Sequence, residues 1–421
     1  MTKIKNTIFR YATPENCVGV FFLSLLISLS IELFTNGIAQ KIFYFAGYIS
    51  VLFILYGLVK NRQQLSQLAP ALPFVMALFI VGLVRYIWFL YAKTDTSQFS
   101  EFDLNNLRNY DLGGKRFILS AFIVSAAIIL SKYMTKEIVV LGRTIIFFGL
   151  VIALFFGLHE FYYVTHERIK LTADAASSSS YMVLFMYTTY LTLSKSTVRS
   201  KWFFIDILAA AITFVLLMLC DTRVSILAFI GVTILYCLYN KSIRTYTRNK
   251  FFITSFVGLI VIVVSLTGAR WMEGIHNIQN YKTDSSTSIG ARVAIWDSGL
   301  TYSEQHYFFS TPLERTTYAQ AFIKENHPGN TEGYNNVKYN MHNDFLETLT
   351  LQGIIGALSL AFIYITFAIV AIRQRMLTSA LLPLFVLFVC GLTDSVLINS
   401  QTVMLFLISI VISALLPTPE K

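Results

Sequence analysis

Apolar runs of roughly 16 to 25 residues recur along almost the whole chain, and a backbone that crosses hydrocarbon must satisfy its own polar groups, which helices of that length do. That repetition makes the fold all-α. With 55% hydrophobic and 13% charged residues among 421, and a mean hydropathy of +0.62, the chain reads as a polytopic membrane protein. The runs predict about twelve transmembrane helices, near 18–33, 42–59, 71–92, 117–134, 138–158, 178–194, 202–220, 224–240, 251–267, 344–372, 377–393 and 398–416. Spans 1 to 9 then occupy residues 1–267, a long polar segment with short helices of its own occupies 268–343, and spans 10 to 12 occupy 344–421. All three belong to a single integrated domain. The first run follows Lys3, Lys5 and Arg10 and has no small-residue cleavage site after it, so it reads as a retained anchor.

The net charge of +10 does not point to nucleic acid, because the basic residues are scattered among short hydrophilic breaks. They report topology instead. Every second break is basic: Lys60 and Arg62; Lys132 and Lys136; Lys195, Arg199 and Lys201; Lys241, Arg244, Arg248 and Lys250; Arg373 and Arg375. With the amino terminus these mark the cytoplasmic side. Both termini are then cytoplasmic, and the connections at 35–41, 93–116, 159–177, near 221, 268–343 and at Asp394 face outward. Glu32, Arg85, Asp221, Arg223 and Asp394 fall toward that outer side, whereas a transporter usually carries its charges near the midplane. Arg143 and Asp206 lie near cytoplasmic ends, where snorkelling, or pairing of Asp206 with Lys201, accounts for them. Cys17, Cys220, Cys237 and Cys390 all sit in or beside apolar runs and read as small buried side chains.

Chemistry is expected where the polar segment meets the next apolar run, at Tyr339 Asn340 Met341 His342 Asn343 Asp344 Phe345 Leu346 Glu347. Read as the opening of a helix, His342 shares a face with Leu346, with Leu349 or Thr350, and with Gly353. A helix amino terminus favours the neutral ring that a general base requires. Asn343, Asp344 and Glu347 are the candidates to orient it. Arg223 lies in the short outer turn Asp221 Thr222 Arg223, where it either pairs with Asp221 or offers its planar fork to a phosphate. Arg292 stands near the start of a predicted helix in Ser288 Ile289 Gly290 Ala291 Arg292, with Ser288 as its cap, a place that favours anions. Gly329, Gly333, Asn335 and Asn336 make the later part of the segment loop-like. Arg85, beside Tyr86 and Trp88, reads as an aromatic-belt snorkeller or as a further anion contact. No spacing of His, Cys or Asp calls for a metal, and neither a phosphate-binding glycine loop nor a nucleophile elbow is present.

The Asp221 Thr222 Arg223 turn, Ser288 to Arg292, and Met341 His342 Asn343 Asp344 with Glu347 and Gly353, in that order, resemble the O-antigen ligase family of Gram-negative inner membranes. That family belongs to a wider group with O-antigen polymerases and bacterial protein O-oligosaccharyltransferases. The resemblance implies a metal-independent, inverting glycosyltransferase of the helical membrane type that uses no cofactor. It would move O-antigen from undecaprenyl diphosphate to the lipid A core oligosaccharide at the periplasmic face. His342 then corresponds to the general base and Arg223 and Arg292 to the diphosphate contacts, with Arg85, Asn343 and Asp221 as supporting residues. A polymerase would use the same donor with a lipid-linked acceptor; a protein oligosaccharyltransferase and a polysaccharide transporter are the remaining alternatives.

Overall fold

The computed structural model describes residues 13–35, 37–60, 66–94, 96–97, 99–197, 203–240, 287–373 and 377–416, with positions 258, 268 and 272. Regular structure among them is helical throughout: α1 (Pro14–Ile31), α2 (Ile38–Lys60), α3 (Leu72–Ala92), α4 (Glu101–Leu130), α5 (Lys136–Glu160), α6 (Ala176–Thr197), α7 (Phe203–Cys220), α8 (Arg223–Tyr239), α9 (Ser288–Gln305), α10 (Pro312–Asn326), α11 (Thr331–Asn336), α12 (Asp344–Arg373), α13 (Leu381–Gly391) and α14 (Ser400–Leu415). Six of these, α1 to α5 and α12, are long and apolar enough to cross a bilayer, and α7, α8, α13 and α14 are shorter apolar helices. The protein is an all-α, multi-pass membrane protein. Apart from position 258, the run expected at 251–267 lies outside the described residues, as do Lys3, Lys5, Arg10, Arg62, Arg199, Lys201, Lys241, Arg244, Arg248, Lys250 and Arg375.

The bundle is built around α14, which is buried at every position except Gln401 and packs on α1, α4, α6 and α13. A helix apolar on all sides belongs in the middle. Its neighbour α6 is rich in Ser, Thr and Tyr yet buried, because its hydroxyls have local carbonyl partners: Thr188 and Thr189 donate to Phe185 O, each at 2.9 Å, and Thr192 donates to Thr188 O at 2.8 Å. Across the seam, the Thr189 and Ser409 hydroxyl oxygens lie 2.8 Å apart. Helices α3 and α4 touch most closely at Gly82, where an added Cβ would stand 2.7 Å from Gly114 O and from Ile118 N. Small residues let the two backbones meet. The four cysteines are free thiols, Cys220 and Cys390 buried, Cys237 partly buried and Cys17 exposed.

Several expectations need correction. The outward connection at 93–116 is largely helix, since α4 starts at Glu101 with a reciprocal cap between Ser100 and Asp103. Buried Leu107, Tyr110, Gly113 and Gly114 give that polar-looking stretch one packed face. Asp206 pairs with Arg143, and the expected partner Lys201 lies outside the described residues. The Arg143–Asp206 distance is 2.6 Å, and the Tyr190 and Ser194 hydroxyls donate to the same Asp206 oxygen at 2.8 Å each. An arginine this deeply buried needs a carboxylate near it. The cap of α9 is Thr287, whose Oγ1 accepts from Gly290 N at 3.2 Å, so Ser288 is its first helical residue. Where a loop is expected around Gly333, the short helix α11 forms, capped by Asn330 Oδ1 on Gly333 N at 2.8 Å.

The polar segment docks where α12 is broken. Gly353 has φ 64° and ψ −165°, which frees the carbonyls and amides around it. Residues 307–310 replace the lost bonds: Ile354 N donates to Tyr307 O at 3.1 Å and Ser310 N to Leu351 O at 3.0 Å. Trp88 of α3 closes the joint by donating Nε1–H to Ser310 O at 2.9 Å. A Cβ on residue 353 would collide with the Tyr307 carbonyl in a backbone conformation that side chains avoid. Gly353→Ala should therefore destabilise the protein by about 1–3 kcal/mol, read as a lower melting temperature of the purified protein in detergent.

Candidate functional site

Residues 392–399 join α13 to α14 without being helical, so their backbone groups need partners from elsewhere. Those partners come from widely separated parts of the chain. Asn343 donates Nδ2–H to Leu392 O at 3.1 Å, Arg292 donates Nε–H to Thr393 O at 3.2 Å, and Arg85 donates an Nη2 proton to Leu397 O at 2.7 Å. Asp344 Oδ1 accepts Leu397 N–H at 2.9 Å, and Arg116 donates to the carbonyl of Ser400. Satisfying this one turn gathers α3, α4, α9 and the start of α12 at a single place.

His342 faces the same turn. It precedes α12 instead of opening it, with φ 48° in the left-handed region, so it does not share a helical face with Leu346 and Gly353. Its own N–H donates to Asn340 Oδ1 at 2.7 Å, and Asn343 caps the helix by accepting from Phe345 N and Leu346 N at 3.0 Å each. The ring is oriented by none of Asn343, Asp344 and Glu347. Its Nδ1 lies 3.3 Å from Asp394 Oδ1, 52 residues away in sequence. Asp394 also accepts from the Tyr181 hydroxyl at 2.8 Å and from Ser395 N at 2.9 Å. Burial pushes the Asp394 carboxyl up, but the hydrogen bond and charge of His342, then the Tyr181 hydroxyl and the Ser395 amide, outweigh it and hold it at about 2. An ionised carboxylate can only accept, so in the neutral ring Nδ1 carries the proton and Nε2 the lone pair. The side chains of His342 and Asp394 keep 23% and 17% of their surface exposed, so the pair is open to a reactant.

Arg292 arrives at this place as part of α9, where Nη1 donates to Ser288 Oγ at 3.0 Å while Nε holds Thr393 O. Among the described residues, Nη2 has no hydrogen-bond partner. Arg223 begins α8, two residues before Ser225, whose hydroxyl meets Ser180 Oγ at 2.6 Å beside the Tyr181 that bonds Asp394. Arg292 thus contacts the Asp394 turn directly, whereas α8 is linked to it through Ser225, Ser180 and Tyr181. Asp221 closes the turn before α8 in the left-handed region, at φ 54°. Arg85 does not snorkel: it is 3% exposed, with its guanidinium carbon 4.8 Å from the centre of the Tyr110 ring.

Asp394 is the residue that the sequence marks only as an outer charge. Its signal is the one that singles out Arg223: an ionisable group in a turn between two apolar runs, too short to need it for solubility. Residues 208–361 match the family model described as O-antigen ligase, a stretch that holds Arg223, Arg292, His342 and Gly353 and stops before Asp394. The chain is also 25% identical over 402 residues to the O-antigen ligase of Escherichia coli (strain K12), covering 93% of this chain and 91% of that protein.

Asp394→Asn should slow turnover by about 10- to 100-fold, since an amide no longer fixes the Nδ1–H tautomer. Because its carboxyl is held at about 2 instead of the ordinary 3.8, Asp394 stabilises the fold fully above pH 3.8 and loses that contribution as pH falls toward 2. The melting-temperature gap between wild type and Asp394→Asn should thus shrink as pH falls below about 4.

Proposed function

We propose that this chain, a member of the O-antigen ligase family, transfers O-antigen polysaccharide from undecaprenyl diphosphate to a sugar hydroxyl of the lipid A core oligosaccharide. The observation that carries the reading is the His342–Asp394 pair, open at Nε2 and flanked by Arg292. A sugar hydroxyl is a poor nucleophile. Nε2 of His342 accepts its proton while the oxygen bonds to the anomeric carbon, and the carbon–oxygen bond to the diphosphate breaks on the opposite face. Attack opposite the leaving group inverts the anomeric centre.

The departing undecaprenyl diphosphate gains negative charge as that bond breaks. Arg292 and Arg223 stabilise this charge more in the transition state than in the ground state, and that difference accelerates transfer. Fixed guanidinium forks take the part that a divalent cation plays in other diphosphate chemistry, so the reaction runs without a metal ion. The site faces the periplasm, at the bilayer boundary where a lipid-linked donor is held, with residues 268–343 on that side and both termini in the cytoplasm. This placement rests on the basic residues of alternate breaks.

A deletion strain should carry bare lipid A core and accumulate lipid-linked polymer; core bearing a single repeat unit would instead identify a polymerase. His342→Ala should lower ligation by about 10²- to 10⁴-fold at normal protein level, measured as polymer-bearing lipopolysaccharide on a gel. Arg292→Lys should also be poor, since a point charge replaces neither the Thr393 and Ser288 contacts nor the fork. Transfer by the purified protein should be unchanged by EDTA; inhibition reversed by added magnesium would refute the metal-free mechanism.

A further inference from the structure

Glu347 lies one turn into α12 and is 3% exposed. Its two oxygens face different ways. Oε1 accepts from Arg315 Nη1 of α10 at 2.6 Å and from the Tyr110 hydroxyl of α4 at 2.9 Å. Oε2 accepts Met341 N–H at 2.7 Å, on the residue immediately before His342. Arg315 is itself 2% exposed, so this is a fully buried ion pair, a kind of contact that adds little net stability and leaves a costly charge if either partner is lost. What it fixes is geometry. His342 holds a left-handed backbone that a non-glycine residue adopts only where its surroundings impose it. The Met341 amide is pinned by Glu347 and the His342 amide by Asn340, so both peptide units leading into the histidine are tied down.

We propose that Arg315 and Glu347 are positioning residues that hold His342 in its working place and make that place conditional on docking of α10 against α12. The inference rests on the reading of His342 as the base. A glutamine at 347 keeps the volume but has one carbonyl oxygen and one NH₂ group. Whichever way it turns, either Met341 N–H or the Arg315 and Tyr110 donors face another donor. Arg315 reaches Glu347 through a single nitrogen, so a lysine can take over the contact, whereas methionine leaves the carboxylate buried and unpaired.

The test compares purified wild type with Glu347→Gln, Arg315→Lys, Arg315→Met, the Arg315→Met/Glu347→Gln double variant and His342→Ala, using polymer-bearing undecaprenyl diphosphate and lipid A core in detergent. Glu347→Gln and Arg315→Met should lower kcat by about 10- to 100-fold, with the acceptor KM within about threefold of wild type. Arg315→Lys should retain kcat within about threefold, and the double variant should be no slower than the slower single one, because the two residues act as a unit. Wild-type kcat in a well-folded Glu347→Gln protein would overturn the proposal, and so would a raised acceptor KM at unchanged kcat, which would make α10 a recognition element alone. If Glu347→Gln does not fold, the Arg315 variants decide: equal kcat with Lys and with Met overturns the proposal. Full transfer by His342→Ala would defeat the reading of the base itself. Loss of transfer there, with wild-type kcat in the Glu347 and Arg315 variants, would defeat the positioning role only.

Discussion

Backbone that leaves a helix between two apolar elements must find hydrogen-bond partners, and residues 392–399 depend on that requirement. Two arginines, an asparagine and an aspartate, contributed by α3, by α9 and by the start of α12, reach the carbonyls and the amide of the turn. Those same side chains fix how α3, α9 and α12 sit relative to α13 and α14. The break in regular structure is thus what the architecture closes around.

The chemistry uses the same economy. Asp394 projects from the broken segment and His342 from the residue pair ahead of α12, so the acid and the imidazole meet because both strands of irregular backbone are tied to one another. The acidic residues divide the labour. Asp394 orients a ring, Asp344 and Glu347 hold main-chain amides, and Asp206 neutralises a buried arginine on the other side of the bundle. Asp344 and Glu347 are closed off from solvent, whereas Asp394 keeps 17% of its side chain exposed beside His342.

Periodicity and length make the helices legible in the sequence, because burial of an apolar run is a local property that each segment declares for itself. The α3, α5 and α12 helices appear close to their expected bounds for that reason. The start of α4 escapes the same reasoning, since its capping box and its stripe of Leu107, Tyr110 and two glycines lie within a charged stretch. At the site, His342, Arg223 and Arg292 are legible by residue type and order, but their partners are not. Asp394 lies 52 residues from His342, and the expectation that Asn343, Asp344 or Glu347 orients the ring fails because local sequence treats His342 as helical. Its positive φ, imposed by tertiary contacts, turns the ring away from that helix and toward the turn. Asp206 illustrates the same limit, since its partner Arg143 stands on a separate helix, 63 residues away in sequence.

The centre of the bundle is occupied by the helix that comes last among those described. Since α14 is enclosed by α1, α4, α6 and α13, the slot it fills is bounded by segments made before it, three of them long before. Until then that slot is lined by side chains such as Ser409's partner Thr189, which have no interhelical contact to make. The turn that gathers the site is also the immediate lead-in to α14. Biogenesis and assembly of this cluster therefore converge on one event: a nascent chain holds His342 and Arg292 before it holds the turn that brings them together.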